Sequence, residues 1–290
     1  MSNNNSSFNL SKSLLVRVII FALAYTVLGV VFPLQQVGIT LPYVIGVVIV
    51  GILYGFLLGV VMLQLAISRK MRILVVLLPL FVIQFFNPMI EGFFFTTILD
   101  NVVILVAGAL FGLLLSFLYA LLAGVLFVPV DGTSSFSHEL REYFGQRRPL
   151  DWLGRYVLAA FAWVLIYFIF GNIVAPFVAP YYADPSSPWY LILPSVEIVL
   201  MIQVLRGFIY LGSLIPLLTT LRLEPKQLFL VMVAFLYIGG GLAIFAIVET
   251  FPLFLRLIHG IEIFASSLCF GAVIALLLKR TSKPPETQIT

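Results

Sequence analysis

Six side chains that can ionise or form strong hydrogen bonds lie within long apolar stretches of the second half of the chain. They are Glu197, Gln203, Arg206, Arg256, His259 and Glu262. Arg256, His259 and Glu262 follow one another at intervals of three residues, so on a helix each would contact the next along one stripe. Histidine changes its charge near neutral pH more readily than other side chains, and a carboxylate beside it stabilises the charged form. The pattern predicts a proton-handling pair, His259 with Glu262, near two arginines that can bind an anion.

Two interpretations of these polar residues stay open. A charged side chain inside a bilayer costs at least ~2.5–3.5 kcal/mol on insertion scales, so such residues face a protein interior or a cavity and have partners. The first interpretation is a solute-binding site in which Arg206 and Arg256 contact an anion. The second is a neutralised ion-pair network that only holds helices together, since two arginines nearly balance Glu197, Glu262 and the peripheral Glu249.

The sequence lacks the motifs that identify common enzyme classes. It contains no His-Glu-x-x-His zinc motif, no Gly-x-Ser-x-Gly nucleophile turn and no phosphate-binding Walker loop. With only His138 and His259, and with Cys269 as the single cysteine, a metal site built from nitrogen and sulfur ligands is not expected. We therefore predict no catalytic residue, no metal and no cofactor, and an enzyme is not the favoured class.

The composition indicates which solvent surrounds most of the chain. Of 290 residues, 62% are hydrophobic and 10% are charged, whereas a soluble domain is nearer half apolar and a quarter charged. No globular core can hide this much apolar surface, so the main partner of the chain is predicted to be a lipid bilayer. The net charge of +4 and the pI of about 9.2 are explained by basic loop residues beside anionic headgroups, without a nucleic-acid partner.

Eight apolar runs follow one another, and each is about long enough to cross a bilayer as a helix. They cover residues 14–32, 40–67, 73–90, 101–129, 152–176, 189–218, 227–248 and 253–278. Because the runs are continuous rather than alternating, helices are favoured over a β-barrel. The predicted fold is an all-α, polytopic integral membrane helix bundle with about eight transmembrane helices. Ala22-Leu23-Ala24 has the form of a signal-peptide cleavage site, but the first run continues beyond it to Phe32, which favours a retained helix.

Lysine and arginine are restricted to alternate connections and to the two termini. These basic residues are Lys12, Arg69, Lys70, Arg72, Arg141, Arg147, Arg148, Arg222, Lys226, Lys279, Arg280 and Lys283. The connections after the odd-numbered runs contain neither residue type and carry instead Glu91, Asp100, Asp184 and Glu249. Since cytoplasmic loops are enriched in lysine and arginine, both termini are predicted to be cytoplasmic. The short loops favour a prokaryotic plasma membrane.

The two halves of the chain resemble each other. Residues 41–56 align without a gap with residues 193–208, and both segments begin with Leu-Pro and end with Gly-Phe. Arg17 and Arg155 occupy matching positions near the start of each half. An even number of helices per half gives both halves the same orientation, so the pattern predicts a 4+4 parallel internal repeat with its axis along the membrane normal.

The predicted organisation has five parts. They are a disordered cytoplasmic N-terminus at 1–13, a first four-helix membrane half at 14–130, a cytoplasmic linker at 131–151, a second four-helix half at 152–278 and a cytoplasmic tail at 279–290. The linker mixes both charge signs, which is typical of a solvated segment. A docking site for a partner is the less favoured interpretation.

The predicted topology also sets the depth of the polar residues. The eighth run begins at the outer side, which places Arg256, His259 and Glu262 roughly 6, 10 and 15 Å below the outer edge at ~1.5 Å per residue. On the same rise, Glu197 lies about 12 Å down the sixth run, and Arg206 lies nearer the midplane. The polar site is therefore expected in the outer half of the second repeat.

A run of three glycines, Gly239 to Gly241, interrupts the seventh apolar run. Adjacent glycines permit close approach of a neighbouring helix, or a broken helix whose free carbonyl groups line a cavity. Close packing is the favoured interpretation.

Three classes of function are compatible with the sequence. The favoured one is a permease or carrier for a small solute, either anionic or lipid-like. The alternative is a non-catalytic membrane scaffold, assembly factor or regulatory subunit. An intramembrane enzyme that acts on a lipid through Glu197, His259 and Glu262 is the least supported, because no nucleophile or metal accompanies these residues.

Overall fold

The computed structural model describes residues 12–32, 38–96, 101–128, 134–184, 190–249 and 251–280. Within those ranges the chain is all-α, and eight of its helices are long and apolar enough to cross a bilayer, as predicted. These spanning helices, numbered one to eight in chain order, are Ser13–Val31, Leu41–Gln64, Arg69–Phe95, Val102–Leu126, Pro149–Tyr182, Val196–Thr220, Pro225–Ile247 and Leu253–Leu277. Most of the predicted disordered N-terminus, Asp100, the start of the linker and the tail from residue 281, with Lys283, lie outside the described residues.

Apolar side chains cover the outside of the bundle as well as its core. On the fifth helix, Leu165, Ile169 and Ile173 are each more than half exposed at successive helical turns. Leu23 and Val27 on the first helix are exposed to a similar degree. Contiguous apolar surface on this scale is rare on monomeric soluble proteins, but lipid tails are as apolar as these side chains. The chain is therefore a multi-pass integral membrane protein.

Two helix boundaries differ from the sequence prediction in ways that move acidic residues. The third helix continues to Phe95, so Glu91 lies inside it rather than in a connection. The sixth helix begins only at Val196, so Glu197 lies in its first turn. Residues 190–195, which the sequence prediction placed in the sixth run, are not helical in the structure.

The fifth helix is longer than predicted, because it continues through two prolines. It spans Pro149–Tyr182, with Pro176 and Pro180 inside it. Proline removes a backbone hydrogen bond, but membrane helices tolerate it where neighbouring groups satisfy the freed carbonyls. The extension carries Tyr182 to the side of the eighth helix.

Helices that follow one another in the chain pack together within each half. Helix one packs on two and three on four, and in the second half five packs on six and seven on eight. The halves meet where helix two contacts seven and helix three contacts six. A Cβ atom on Gly207 would lie 2.6 Å from the carbonyl oxygen of Ala160, and one on Gly46 would overlap the carbonyl oxygen of Ala246. Glycine at these positions lets the paired backbones touch.

The third and seventh helices both change to π-helical winding near their middle. The π-helical segments are Val82–Phe86 and Phe235–Leu242, and they contact each other. A Cβ atom on Gly239 would lie 3.0 Å from Cγ2 of Ile83 and 3.1 Å from the hydroxyl oxygen of Tyr54. The glycine run thus permits close packing, as predicted, and the seventh helix continues through it unbroken. Short π-helical segments occur frequently at functional sites.

Charged connections gather at two opposite ends of the bundle. At one end, Glu139 of a short helix, Phe136–Phe144, lies 2.9 Å from Arg222 and 2.6 Å from Arg280. At the other end, the Thr40 hydroxyl donates a hydrogen bond of 2.5 Å to Glu249. We call the end that contains Arg222 and Arg280 the basic end, and the end that contains Glu249 the acidic end.

Two side chains of the linker between the halves pack against the bundle, whereas most of its other described residues are exposed or half-buried. Glu139 is only 2% exposed, and the Tyr143 hydroxyl donates a 2.5 Å hydrogen bond to the carbonyl oxygen of Leu278, the residue that follows the eighth helix. Burial by itself would raise the pKa of Glu139. Hydrogen bonds from Ser134, Arg222 and Arg280 outweigh that effect and hold the pKa of the Glu139 carboxyl below its usual value.

Candidate functional site

An ion pair links the third and sixth helices inside the bundle. The Nη1 atom of Arg206 lies 3.0 Å from the Oε1 atom of Glu91. The side chain of Arg206 is 5% exposed, whereas that of Glu91 is 36% exposed. Arg206 also donates a 3.0 Å hydrogen bond to the Oε1 atom of Gln203. The pair therefore joins one helix of each half, and the arginine is its buried member.

Aromatic side chains of the fifth and sixth helices enclose the arginine. Trp163 donates a 3.3 Å hydrogen bond to Gln203, and the Tyr167 hydroxyl donates a 3.2 Å hydrogen bond to Glu91. The guanidinium carbon of Arg206 lies 5.7, 5.9 and 6.0 Å from the ring centroids of Trp163, Tyr167 and Tyr210 respectively. Aromatic ring faces attract a cation, and more strongly where water is absent. The rings thus stabilise a positive charge away from bulk water.

Several buried polar atoms beside the ion pair have no hydrogen-bond partner in the described part of the chain. They are Nε of Arg206, Nε2 of Gln203 and both polar side-chain atoms of Asn87. Asn87 is fully buried on the third helix, one turn before Glu91, and the Tyr210 hydroxyl is the polar group that approaches both Asn87 and Arg206, at longer range than a well-formed hydrogen bond. Roughly 90% or more of buried polar groups are hydrogen-bonded to protein or to ordered water, so these atoms are ones that a water molecule or a ligand would satisfy.

A second polar centre lies towards the acidic end, between the fifth and eighth helices. His259 shares a 2.5 Å hydrogen bond with the Tyr182 hydroxyl through Nε2 and a 2.8 Å hydrogen bond with Glu262 through Nδ1. The ring of Phe245 stacks on the imidazole, with centroids 5.5 Å apart and planes 9° apart. The predicted contact between His259 and Glu262 is therefore present, and Tyr182 is an additional partner.

Two tyrosines of the fifth helix connect the two polar centres. Tyr167 bonds to Glu91 and lies within electrostatic reach of Glu262, and Tyr182 lies within reach of both carboxylates. We call the following seven residues the polar cluster: Glu91, Tyr167, Tyr182, Gln203, Arg206, His259 and Glu262. Its hydrogen-bonded hydroxyl, imidazole and carboxyl groups can exchange protons, and its guanidinium can contact an anion.

The structure brings four of the six predicted site residues into the polar cluster, and it places the other two elsewhere. Glu197 is exposed beside the Ser195 hydroxyl in the first turn of the sixth helix. Its predicted depth of about 12 Å assumed a helix that begins at residue 189, whereas the helix begins at Val196. Arg256 lines a groove between the seventh and eighth helices, and among the described residues it forms no hydrogen bond with His259.

The partner of Arg206 was missed from the sequence. The sequence predicts a third apolar run that ends at residue 90, which places Glu91 in the connection after it. A usable signal was present, since Gln84, Asn87 and Glu91 follow one another at intervals of three and four residues and so share one face of a longer helix. Nothing in the sequence marked Tyr167 and Tyr182 as site residues, because tyrosine is also common at the membrane interface, where it has no part in a site.

A group of metal-ligating side chains lies outside the polar cluster, at the basic end. One ligand atom each from His138, Glu139 and Glu142 lie within 4.8 Å of one another. Both carboxylates are already paired with Arg222 and Arg280, at distances from 2.6 to 3.3 Å. The arginines supply the positive charge that an ion would bring, so these residues form an ion-pair network.

No known protein family, curated protein or solved structure matches the chain. The class of protein is defined by its fold and site: a multi-pass helical membrane protein with a polar cluster inside its spanning bundle. The geometry of that cluster is the basis for a functional conclusion.

Proposed function

We propose that the protein is a carrier or permease for a small anionic or lipid-like solute, with the polar cluster as its binding site. The observation that carries the proposal is the buried Arg206, paired across the two halves with the partly exposed Glu91 and surrounded by unsatisfied polar atoms. An ion pair with a purely structural role gains most when every hydrogen bond is made. The unsatisfied atoms beside Arg206 favour a site that is completed by a ligand.

Partner exchange at Arg206 offers a physical route from binding to movement. While Glu91 is the partner, the guanidinium ties the third helix to the sixth. An anion that takes the place of Glu91 removes this tie, and Tyr167 is positioned to hold the released carboxylate. A ligand shifts a conformational equilibrium only by its differential affinity for the two states. The ion pair, present in one state and absent in the other, supplies such a difference.

The internal 4+4 repeat belongs to the same proposal. If helices one to four correspond to five to eight, the contact of helix two with seven corresponds to that of six with three. The two π-helical segments lie in corresponding helices, three and seven, and contact each other. Duplicated membrane bundles place their site at the seam between repeats, and Arg206 and Glu91 come from opposite sides of that seam.

The orientation that we propose follows from the positions of lysine and arginine. The basic end would face the cytoplasm, and His259 and Glu262 would then lie towards the outer surface. The short connections favour the plasma membrane of a prokaryote. In this orientation a solute from outside meets His259 and Glu262 before Arg206.

Flux measurements on proteoliposomes test the proposal. We expect protein-dependent movement of at least one of three probes: radiolabelled succinate, radiolabelled inorganic phosphate or a fluorescent short-chain phosphatidylglycerol. The Glu262→Gln variant should lower that flux about tenfold, which corresponds to ~1.4 kcal/mol at the site, because it removes the carboxylate that holds His259. Glu197→Gln is the matched control, since it removes a carboxylate outside the cluster and should leave the flux unchanged. Equal flux in wild type and Glu262→Gln would contradict the site.

A membrane scaffold, assembly factor or regulatory subunit is the second candidate. It is favoured by the direct pairing of Arg206 with Glu91, which on its own needs no solute. This candidate predicts a stoichiometric protein partner on purification, no flux of any of the three probes and no change in thermal stability when they are added.

A further inference from the structure

A groove that faces lipid runs between the seventh and eighth helices. Its volume is about 320 Å³. Its walls are mainly apolar and include Leu242, Phe245, Leu257, Ile261 and Phe264. Leu257 and Ile261 are 57% and 66% exposed, so the groove opens to the surface of the bundle that lipid tails contact. It is separate from the polar cluster, since no cluster residue lines it.

The positively charged side chain of Arg256 lies at the end of the groove that is nearer the acidic end of the bundle. Arg256 follows the first residue of the eighth helix, Leu253, by less than one turn, so it is close to headgroup depth. The Nε atom of Arg256 is buried without a hydrogen-bond partner, and none of the ion pairs in the described ranges includes its guanidinium. A positive group beside an apolar channel is thus left without a counter-charge.

Two further residues shape the groove. A Cβ atom on Gly260 would have nothing within 4 Å, so the glycine leaves space along the channel. Phe245 forms part of the wall, and its ring also stacks on His259. The Phe245 ring therefore contacts both the groove and the polar cluster.

We propose that the groove binds one acyl chain of an anionic phospholipid from the bilayer, whose phosphate group contacts Arg256. A water-soluble anion would leave the apolar walls uncovered, and a neutral lipid would leave the arginine without a counter-charge. From Arg256 to Phe264 the groove runs roughly 12 Å at ~1.5 Å per residue. The hydrocarbon of one leaflet is about 15 Å thick, so an acyl chain fills this length.

The groove also identifies the solute class of the proposed carrier, and this step rests on the proposed function. A lipid held at Arg256 has its headgroup beside the Phe245 ring, on the other side of which lies His259. Displacement of Phe245 would bring the phosphate group to the polar cluster from the side of the bilayer. The solute is then an anionic lipid rather than a dissolved metabolite.

Photo-crosslinking tests the binding step without any flux measurement. The protein is reconstituted in phosphatidylcholine vesicles with a trace of phosphatidylglycerol or of phosphatidylcholine that carries a photoactivatable group on one acyl chain. We expect labelling of residues 253–264 to be about fivefold stronger with phosphatidylglycerol, a ratio that corresponds to ~1 kcal/mol per cation near the membrane surface. Arg256→Gln should bring the ratio of the two lipids close to one, whereas Arg17→Gln, which removes the same charge elsewhere, should not.

A second variant tests the groove independently of Arg256. Gly260→Leu should lower labelling of residues 253–264 by both lipids, because a Cβ atom there lies in open space and the longer side chain takes up room in the channel. Gly171→Leu is the matched control, since a Cβ atom there also has nothing within 4 Å. Equal labelling by the two lipids in wild type, or an unchanged ratio in Arg256→Gln, would overturn the proposal. Selective labelling in a protein without flux would leave the lipid site in place and contradict only the carrier function.

Discussion

Replacing Glu91 with glutamine is expected to destabilise the folded protein by about 3 kcal/mol, at the lower end of the range for breaking a buried ion pair. The change leaves the positive charge of Arg206, whose side chain is 5% exposed, without a counter-charge. Arg206→Gln should be milder, at about 1–2 kcal/mol, because the Glu91 side chain it leaves behind is 36% exposed and can be solvated. The order of the two effects follows from the unequal burial of the partners.

The double variant Glu91→Gln/Arg206→Gln completes the test. With neither charge present, no unpaired buried charge remains. The free energy of unfolding of the double variant should therefore exceed that of the Glu91→Gln variant. Reversible unfolding in mixed micelles measures all four proteins. A loss in the double variant equal to the sum of the single losses would contradict a direct pair. A larger loss for Arg206→Gln than for Glu91→Gln would contradict the assigned burial.

Glu139 is expected to be the most sensitive position at the basic end. Glu139→Gln should cost about 3 kcal/mol, because the carboxylate is 2% exposed and pairs with both Arg222 and Arg280. Glu142→Gln is the matched control: it contacts the same two arginines, but its side chain is 32% exposed. Its loss should stay below about 1 kcal/mol, as for other surface pairs. Equal losses would show that burial does not decide the strength of this network.

The contribution of Glu139 has a predictable pH dependence. Its folded-state pKa lies below the usual value of 4.5, so the folded state prefers the ionised form. The stability it adds is fully present above the unfolded pKa and is lost as the pH falls through the folded pKa. The difference in unfolding free energy between wild type and Glu139→Gln should therefore be constant above about pH 5.5 and shrink below it. A difference that grows on acidification would contradict the assignment.

The number and type of the spanning helices could be predicted from the sequence, because run length and composition decide whether a segment enters lipid. The His259–Glu262 contact could also be predicted, since both residues lie on one helix at an interval of three. The Arg206–Glu91 pair could not, because it depends on how far the third helix continues and on which helices of opposite halves touch. Such contacts are set by packing between segments that are distant in sequence.

The linker shows a related limit. Its mixed charges are typical of a solvated segment, yet Glu139 is buried, and basic residues from one other connection and from the C-terminal tail pair with it. Glu197 shows the converse: an apolar context indicated burial, but the residue precedes the packed part of its helix and is exposed. In both cases the exposure of a charged side chain is decided by tertiary neighbours rather than by flanking residues.

The proposed function requires that a solute can reach the His259–Glu262 part of the polar cluster through water, and thiol labelling tests this requirement most directly. In a Cys269→Ser background, Glu262→Cys and Ile261→Cys place a cysteine in the cluster and on the adjacent lipid-facing position, which is 66% exposed. A membrane-impermeant thiol reagent needs a hydrated, ionised thiol, so Glu262→Cys should react at least about tenfold faster than Ile261→Cys. Equally slow reaction at both positions would contradict this requirement and leave the cluster as structural contacts alone.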